Sequence, residues 1–380
     1  MEILSLLRCD TYEYDKVKVA IDDTFKQLGG IEKYIKPGMK VLLKINLLMK
    51  KRPEEATTTH PVFVEALVRA IQSAGGIVVI GDSPGGPYTV NALRGVYRAC
   101  GIEQVAKNTG ALLNYDISVK EVSFEKGRIT KRFTVINPVF DTDFIITVPK
   151  LKTHGMTMFT GAVKNLFGVI PGINKAEYHF RMADKKDFCE MLVDLCEYVK
   201  PGLAIMDGII GMEGSGPSGG SPRQIGAVIA SENPYLVDLA AINIIGLKTN
   251  EVYTVYNSIA RGLCPAQLED VTMVGQAISE FVIADYKLPS GRGISFVDRL
   301  PAKMQRKING WVSPNPIFIH ETCVGCKDCA KACPPRAIEM KQQKPYVDMD
   351  KCIKCFCCQE LCPKKAVEIK RPWWLRKILQ

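Results

Sequence analysis

The sequence has no apolar run of about 18 residues, the length needed to cross a lipid bilayer. Its first residues, MEILSLLRCDTYEYDK, also lack the basic flank and the small-residue cleavage site of a signal peptide. A Walker-type phosphate-binding loop is absent as well. We therefore expect a cytoplasmic protein without a transmembrane segment.

A nucleic-acid-binding motif is also missing. The net charge of +10 comes from dispersed basic residues, with no basic patch interleaved with aromatic side chains. Charge alone reports attraction and not the identity of a partner. We expect no nucleic acid, and an anionic ligand or an acidic partner protein fits the charge instead.

The chain is long enough for more than one domain. Its 380 residues are 47% hydrophobic and 24% charged, which is ordinary for globular proteins. We predict an α/β ligand-binding domain over residues 1–312, including a linker rich in proline and glycine from about residue 286. A small domain is predicted over 313–370, followed by a basic aromatic tail over 371–380.

Cysteine is unevenly distributed along the chain. Nine of the fourteen cysteines lie between Cys323 and Cys362, and eight of these form two runs spaced Cys-x-x-Cys-x-x-Cys-x-x-x-Cys-Pro. This is the bacterial pattern for two 4Fe–4S clusters, in which the fourth cysteine of each run binds the other cluster. The first predicted ligand set is Cys323, Cys326, Cys329 and Cys362. The second is Cys352, Cys355, Cys358 and Cys333.

Two other interpretations of these cysteines stay open. Structural zinc also uses Cys-x-x-Cys pairs, although two matched runs that each end in Cys-Pro favour iron. Cys357 fits neither run. A packed or exposed thiol is the simpler interpretation of Cys357, and an exchanged cluster ligand is the alternative.

The first two hundred residues alternate between short β-branched runs and amphipathic stretches. This alternation predicts a mainly parallel sheet with crossover helices, an α/β fold. Pro61 should start one crossover helix, with Thr59 or His60 as its cap and Gly75 at its end. The predicted strands lie within 41–48, 77–86, 143–155 and 202–210.

Polar residues follow these predicted strands at their carboxyl ends, which is where open α/β sheets bind ligands. Lysine ammonium groups attract a carboxylate or phosphate, and a histidine beside them can move a proton near neutral pH. As catalytic groups we predict His154, Lys152, Lys164 and Asp82. As ligand- or cofactor-binding groups we predict Lys44, Asn46, Lys150, Asn165 and Asp207. The structural alternative is a solvated rim of lysines with His154 capping a helix.

The motif Gly214-x-Gly216-x-x-Gly219 matches the dinucleotide-binding fingerprint. It precedes Pro222 and a predicted strand, however, where the fingerprint requires a helix. We therefore reject a dinucleotide site. An anion-binding nest, a mobile lid and a plain connection are the interpretations left for this loop.

Two resemblances add to this interpretation. The cysteine module over about 317–368 closely resembles two-cluster ferredoxins, an α+β fold. At KVLLKINLL, GDSPGG, VPKLKTHG and TGAVKNLFGVIPG, together with the terminal cysteines, the chain resembles the domain-of-unknown-function family 362 in its ferredoxin-fused form. That family name carries no established reaction.

The stretch from Asp143 to Gly172 is also similar, more distantly, to part of the nickel-dependent lactate racemases. His154 and Lys164 would correspond to a catalytic histidine and to the lysine that tethers the nickel-pincer cofactor, and His179 to a nickel ligand. The second catalytic histidine of those enzymes is replaced here by the turn at Asp82. Because racemisation needs a base on each face of the carbon, this difference argues against simple racemase chemistry.

Three functions follow from these observations. We favour an iron–sulfur oxidoreductase that relays electrons from a soluble partner protein, through two 4Fe–4S clusters, to a small anionic ligand. The alternatives are an electron-transfer protein whose large domain docks a partner, and a racemase-like enzyme with an organic or nickel cofactor that the clusters maintain. The tail KRPWWLRKILQ suits a membrane surface or a partner groove, although packing of Trp373 and Trp374 onto the large domain is the simpler interpretation.

Overall fold

The computed structural model describes residues 2–172, 174–182, 184–289 and 313–370. The predicted tail, and residues 290–312 of the predicted linker, lie outside these ranges. The described strands are β1 Ile3–Arg8, β2 Lys40–Ile45, β3 Ile77–Gly81, β4 Leu112–Leu113, β5 Val119–Ser123, β6 Arg132–Ile136, β7 Phe144–Val148, β8 Lys150–His154, β9 Met158–Thr160, β10 Leu203–Glu213, β11 Ser221–Ser231, β12 Thr272–Gly275, β13 Asn315–Phe318, β14 Ile338–Lys341, β15 Lys344–Val347 and β16 Val367–Lys370. The described helices are α1 Tyr14–Gln27, α2 Pro61–Ser73, α3 Val90–Ala99, α4 Ile102–Thr109, α5 Ala162–Asn165, α6 Asn174–Arg181, α7 Lys185–Val199, α8 Pro234–Ile244, α9 Tyr253–Ala260, α10 Asp328–Lys331 and α11 Cys357–Glu360. Within these ranges, each helix is too short or too polar to span a bilayer.

A ten-stranded sheet organises the large domain, with the main order β12-β1-β11-β10-β7-β2-β3-β4. The strands from β10 to β4 run parallel, whereas β11 is antiparallel to both of its neighbours. Strand β8 pairs with β10 and with β9 beyond the end of β7. The predicted α/β class with a mainly parallel sheet is confirmed.

The middle of the sheet contains a topological switch point. From β2 the chain proceeds to β3 and β4 on one side, while β7 lies on the other side of β2 and leads on to β10. The connections after β2 and β7 therefore leave in opposite directions and open a crevice at the carboxyl ends of these strands. Crevices of this kind are the usual ligand sites of open α/β sheets.

Two apolar cores cover the two faces of the sheet. Along β2, Val41, Leu43 and Ile45 face one core and Leu42 faces the other, because successive side chains of a strand point to opposite faces. Helices α1 to α4 contribute to the first core, and α7 and α8 contribute to the second. The domain thus consists of helix, sheet and helix layers, with the sheet buried between them.

Helix α2 shows how the sequence sets one of these layers. Pro61 occupies the first turn, and the His60 ring accepts a hydrogen bond from the Val62 amide at 3.3 Å, so His60 is the cap. The buried positions include Phe63, Leu67 and Ile71, which are spaced by four residues and form one face against the sheet.

Pro149 interrupts a segment that the sequence predicts to be one strand. The single strand predicted over 143–155 is wrong, because β7 ends at Val148 and β8 begins at Lys150. Pro149 has no amide hydrogen and cannot continue the hydrogen-bond ladder. The register of β8 on β10 then shifts from Asp207 to Met212 between Lys150 and Lys152. These two lysines consequently have different surroundings although they are two positions apart.

Candidate functional site

Two cavities in the small C-terminal module bring the cysteines together. The first is lined by Cys323, Cys326, Cys329 and Cys362. The second is lined by Cys333, Cys352, Cys355 and Cys358, and the buried Cys357 lines it as well. These are the two sets that the spacing predicts, each completed by a cysteine from the other run. Thiolates that surround a cavity in this way fit a 4Fe–4S cluster.

The two halves of the module repeat the same backbone turns. Lys327 and Phe356, each directly after the second cysteine of its run, have φ angles of 67° and 61° and precede α10 and α11. Arg336 and Lys365, each three positions after the fourth cysteine, have φ angles of 52° and 53°. Because left-handed backbone at non-glycine residues is uncommon, its recurrence at matched positions indicates a structural repeat. Strand pairs β13–β16 and β14–β15 flank the two halves.

Backbone amides hydrogen-bond three of the cysteine sulfurs. The Ala337 amide donates to Cys333 Sγ at 3.2 Å, and the Ala366 amide donates to Cys362 Sγ at the same distance. Gly325 donates to Cys323 Sγ at 3.5 Å. Hydrogen bonds to ligating sulfurs stabilise negative charge and are one of the factors that set the potential of an iron–sulfur centre.

Helix α11 of this module lies on the loop that joins β10 to β11. Ser218 Oγ donates to the carbonyl oxygen of Glu360 at 2.8 Å, and Gln359 Nε2 donates to the Ser215 carbonyl at 2.7 Å. The glycine-rich loop lies between two strands, which agrees with the rejection of a dinucleotide site. It is instead a docking surface for the module, a role that the sequence did not reveal.

Apolar contacts extend the same interface. Phe356 and Ile369 of the module are buried within one of the two large cores. A side chain at Gly155 would lie 2.6 Å from Ile369 Cδ1, and one at Gly85 would lie 2.4 Å from Leu361 Cδ2. Both glycines permit the module to approach the carboxyl edge of the sheet closely.

A cavity of about 60 Å³ lies at this edge, between the sheet and the module. Its polar and charged lining residues are Asn46, Asp82, Ser83, Lys152, Thr160, Lys164, Asn165, Lys175 and Glu360. We call this cavity the strand-end pocket. Glu360 belongs to α11 and stands between Cys358 and Cys362, which line different cysteine cavities. The wall of the pocket is thus continuous with the segment that would hold both clusters.

Asparagine side chains fix the floor of the strand-end pocket. Lys152 Nζ donates to Asn46 Oδ1 at 2.8 Å and to the Thr57 carbonyl at 2.7 Å. Asn46 Nδ2 donates to Asn165 Oδ1 at 3.1 Å. Burial lowers the pKa of Lys152 to about 7, with Glu360 opposing the shift. Its side chain can therefore exchange between the ammonium and the neutral amine form near neutral pH.

Lys44 and Asp82 form a buried ion pair beside the pocket. Lys44 Nζ lies 2.9 Å from Asp82 Oδ1, and the other carboxylate oxygen accepts a hydrogen bond from the Leu47 amide at 2.6 Å. An added Cβ at Gly168 would lie 1.9 Å from Asp82 Oδ1 and 2.5 Å from Lys44 Nζ, so only glycine fits there. Both carboxylate oxygens of Asp82 therefore have partners. Asp82 is a structural residue of the pocket wall rather than a free base.

Lys175 is a pocket residue that sequence reasoning missed. Its ammonium group donates to the carbonyl oxygens of Ser83 and Pro84. Burial lowers the pKa of Lys175 to about 8, and Lys44 contributes in the same direction. The spacing of Lys175, eleven residues after Lys164, carries no periodic signal, so only the folded chain brings the two lysines to one cavity.

His154 lies behind the pocket wall and is almost completely buried. Its Nδ1 accepts hydrogen bonds from the Met156 and Thr157 amides at 3.1 and 3.2 Å, which places the ring proton on Nε2. Nε2 lies 3.8 Å from Glu360 Oε2. Burial, and then the charge of Lys164, hold the pKa of His154 well below its ordinary value, so the ring is neutral.

Lys150 and Asp207 form a separate buried network. Lys150 Nζ lies 2.9 Å from Asp207 Oδ2, and Tyr12 hydroxyl donates to Asp207 Oδ1 at 2.7 Å. The His60 amide also donates to Asp207, and its ring stacks on Tyr12. Neither Lys150 nor Asp207 lines the strand-end pocket as the described residues form it. Their predicted role in ligand binding receives no support from this geometry.

His179 is also separate from the pocket. Its ring stacks on Phe188 with 4.3 Å between centroids and contacts the edge of Phe167. Burial lowers the pKa of His179 to about 3. Among the described residues that line the pocket beside Lys164, none is a histidine, so the residues present do not fit the expected nickel site.

A larger and more open cavity lies at the opposite, amino-terminal edge of the sheet. Charged groups there pair within the lining: Lys33 forms an ion pair with Glu232, and the Tyr235 hydroxyl donates to Glu197 at 2.8 Å. Ligands of open α/β sheets bind at the other edge. We therefore regard the strand-end pocket as the candidate site.

An α/β domain with a basic pocket at its switch point, covered by a module with two cysteine-lined cavities, has the architecture of an iron–sulfur protein with a second candidate site. Comparison with protein families agrees with both parts. Residues 41–243 match the domain of unknown function DUF362, and residues 322–366 match the 4Fe-4S dicluster domain. The chain belongs to the DUF362 family and carries a 4Fe–4S dicluster domain at its C-terminal side.

One curated relative is the thylakoid-associated protein sll1697 of Synechocystis sp. It is 35% identical over 294 residues, which cover 75% of this chain and 87% of the relative. A solved structure, that of the lactate racemase apoprotein from Thermoanaerobacterium thermosaccharolyticum, aligns with a TM-score of 0.40 at 12% identity. That alignment covers 63% of this chain and spans 55% of the racemase chain.

Proposed function

We propose that this protein is an iron–sulfur oxidoreductase that relays electrons from its two 4Fe–4S clusters to an anionic ligand in the strand-end pocket. The observation that carries the proposal is the position of Glu360, which lines the pocket and stands between Cys358 and Cys362. Electron donor and acceptor sites are thereby neighbours within one chain, which raises their effective concentration.

Residues of the pocket bind the ligand and supply protons to it. Lys152, Lys164 and Lys175 hold the anionic group, and Asn46, itself bonded to Asn165, fixes the direction of Lys152. When bound, the clusters supply electrons singly. Per turnover the ligand takes up two electrons and two protons, while a soluble one-electron donor protein is oxidised twice. Lys152 and Lys175, with pKa values near neutrality, are suited to supply the protons.

The experiment is anaerobic reduction of the holoprotein with dithionite, removal of the excess, and addition of candidate ligands. A productive ligand should restore the cluster absorption in the wild type. We expect Lys164→Met to retain both clusters and to lose this ligand-dependent reoxidation. The matched control is Lys126→Met, which removes an exposed lysine outside the pocket. Equal reoxidation rates in Lys164→Met and wild type would contradict the proposal.

The two alternative functions are less well supported. A purely electron-transferring protein has no need of an enclosed pocket with buried lysines. A racemase-type function with nickel would require imidazole ligands beside Lys164, and His179 packs against Phe188 instead. Nickel analysis of the purified protein tests the latter directly.

A cytoplasmic location stays our proposal. The description of the relative as thylakoid-associated makes attachment to a membrane surface the alternative. Separation of soluble and membrane fractions after a high-salt wash distinguishes the two, because salt weakens electrostatic attachment to anionic lipid.

A further inference from the structure

We infer that the ligand of the strand-end pocket is a small dianion, a phosphate-type or short dicarboxylate group. The inference rests on the proposed function only in taking this pocket as the ligand site. It specifies the charge, the size and the donor pattern that the ligand must match.

The charge follows from the pairing of the ionic groups. Lys44 and Asp82 neutralise each other at 2.9 Å. Glu360 is the carboxylate left among the described lining residues. The lysines left are Lys152, Lys164 and Lys175. With all three protonated, the pocket carries a surplus of two positive charges, which a dianion neutralises.

Lys164 is the cation with the fewest interactions inside the pocket. It is 8% exposed, no hydrogen bond of its Nζ is found within the described part of the chain, and the Phe167 ring centroid lies 5.6 Å from Nζ. A buried ammonium group without an acceptor is costly, because it has lost its water. An anion in the cavity supplies the missing partner.

Two hydroxyl groups point to a ligand with several oxygens. Ser83 Oγ and Thr160 Oγ1 line the pocket, are almost completely buried, and have no hydrogen-bond partner among the described residues. Buried polar groups without partners are rare in folded proteins. With the three lysines they make five donor groups that line the cavity, more than the roughly four hydrogen bonds that a single carboxylate accepts.

The size of the cavity limits the ligand further. At about 60 Å³ the strand-end pocket is much smaller than the roughly 300–1,000 Å³ of sites for drug-sized ligands. A nucleotide or a sugar phosphate does not fit inside it. A phosphate group, or a dicarboxylate of a few carbons, is of the right scale.

The test measures binding and requires no electron transfer. Isothermal titration of the oxidised holoprotein compares inorganic phosphate and succinate, as the two dianion classes, with acetate as the monoanion. We expect at least one dianion to bind tenfold or more tightly than acetate. Lys164→Met should weaken that dianion tenfold or more, whereas Lys126→Met should bind it like the wild type.

Each result decides one of the two proposals. Preference for phosphate or for succinate identifies the dianion class. Acetate binding as tightly as both dianions, or unchanged affinity in Lys164→Met, would overturn the inference. Phosphate and succinate serve only as binding probes, because neither accepts electrons. A reducible dianion such as fumarate, which takes up two electrons and two protons to give succinate, would support the inference and count against the proposed function if it binds but does not reoxidise the reduced protein. A monoanion that binds as tightly as the dianions and reoxidises the protein would do the reverse.

Discussion

Glu360 Oε2 lies 3.8 Å from His154 Nε2, across the boundary between the cysteine module and the α/β domain. Glu360 belongs to the segment that would bind both clusters, and His154 ends strand β8 at the carboxyl edge of the sheet. A change in the position of α11 would therefore alter the distance between these two side chains and the shape of the pocket beside them. The proximity of the two side chains relates the cluster-binding half of the molecule to its ligand-binding half.

The crossed assignment of cysteines predicts which variants resemble each other. Replacing Cys333 by alanine should disturb the same cluster as Cys352→Ala, although Cys333 lies in the first run. Its electron paramagnetic resonance spectrum after reduction should match that of Cys352→Ala and differ from that of Cys323→Ala. Cys264→Ala, in the core of the large domain, is the control and should keep both clusters. A spectrum of Cys333→Ala that matches Cys323→Ala would show that each run binds its own cluster.

The module should loosen when its polar contacts to the β10–β11 loop are removed. We expect Ser218→Ala with Gln359→Ala to weaken docking by about 2 kcal/mol, because each hydrogen bond contributes about 1 kcal/mol. Both clusters should remain, while amide exchange in α11 and ligand-dependent reoxidation change together. The control is the pair Ser123→Ala and Gln267→Ala at exposed positions. Unchanged exchange in α11 would mean that these contacts do not hold the module.

Dianion affinity should fall as pH rises. The free protein holds Lys152 with a pKa of about 7 and Lys175 with one of about 8, both lowered by burial. Glu360 and Asp82 raise the pKa of Lys152, whereas Lys164 and Lys150 lower it. Above these values the lysines are neutral and attract the anion less, so binding must take up protons.

Titration calorimetry tests this sign directly. The binding constant for succinate should decrease between about pH 6.5 and 9. For each lysine that must be protonated for binding, the decrease should be about tenfold per pH unit above the pKa of that lysine. The observed enthalpy should also vary with the ionisation enthalpy of the buffer. In Lys152→Met the part of the decrease that begins near pH 7 should disappear. Affinity that rises with pH would contradict the assignment of these lysines.

Lys150 should behave differently from the pocket lysines. Lys150→Met leaves Asp207 as a buried carboxylate without its ammonium partner, which typically costs about 3–5 kcal/mol. Urea unfolding should show this loss, while Lys164→Met should have a smaller effect on stability. In Lys150→Met with Asp207→Leu we expect part of the stability to return. If the single and double variants are equally unstable, the pair is not the cause.

The cysteine module could be predicted almost completely from the sequence. Its ligands follow from spacing within about forty residues, because a short loop with fixed offsets directs three thiolates towards one cavity. The parallel sheet was also accessible, since buried strands such as β2 and helices such as α2 have strong local patterns. His60 and Pro61 even marked the start of α2 correctly.

The pocket, by contrast, is a property of the tertiary structure. Lys150 and Lys152 have the same local pattern, yet the break at Pro149 and the shifted register on β10 direct one to Asp207 and the other to Asn46. No local signal marks Lys175 or Glu360 as pocket residues. Local sequence thus determined most of the elements and the grouping of the cysteines around two cavities. Which charged side chains share one cavity was decided by strand register and by the docking of the module, because both depend on contacts between residues far apart in the chain.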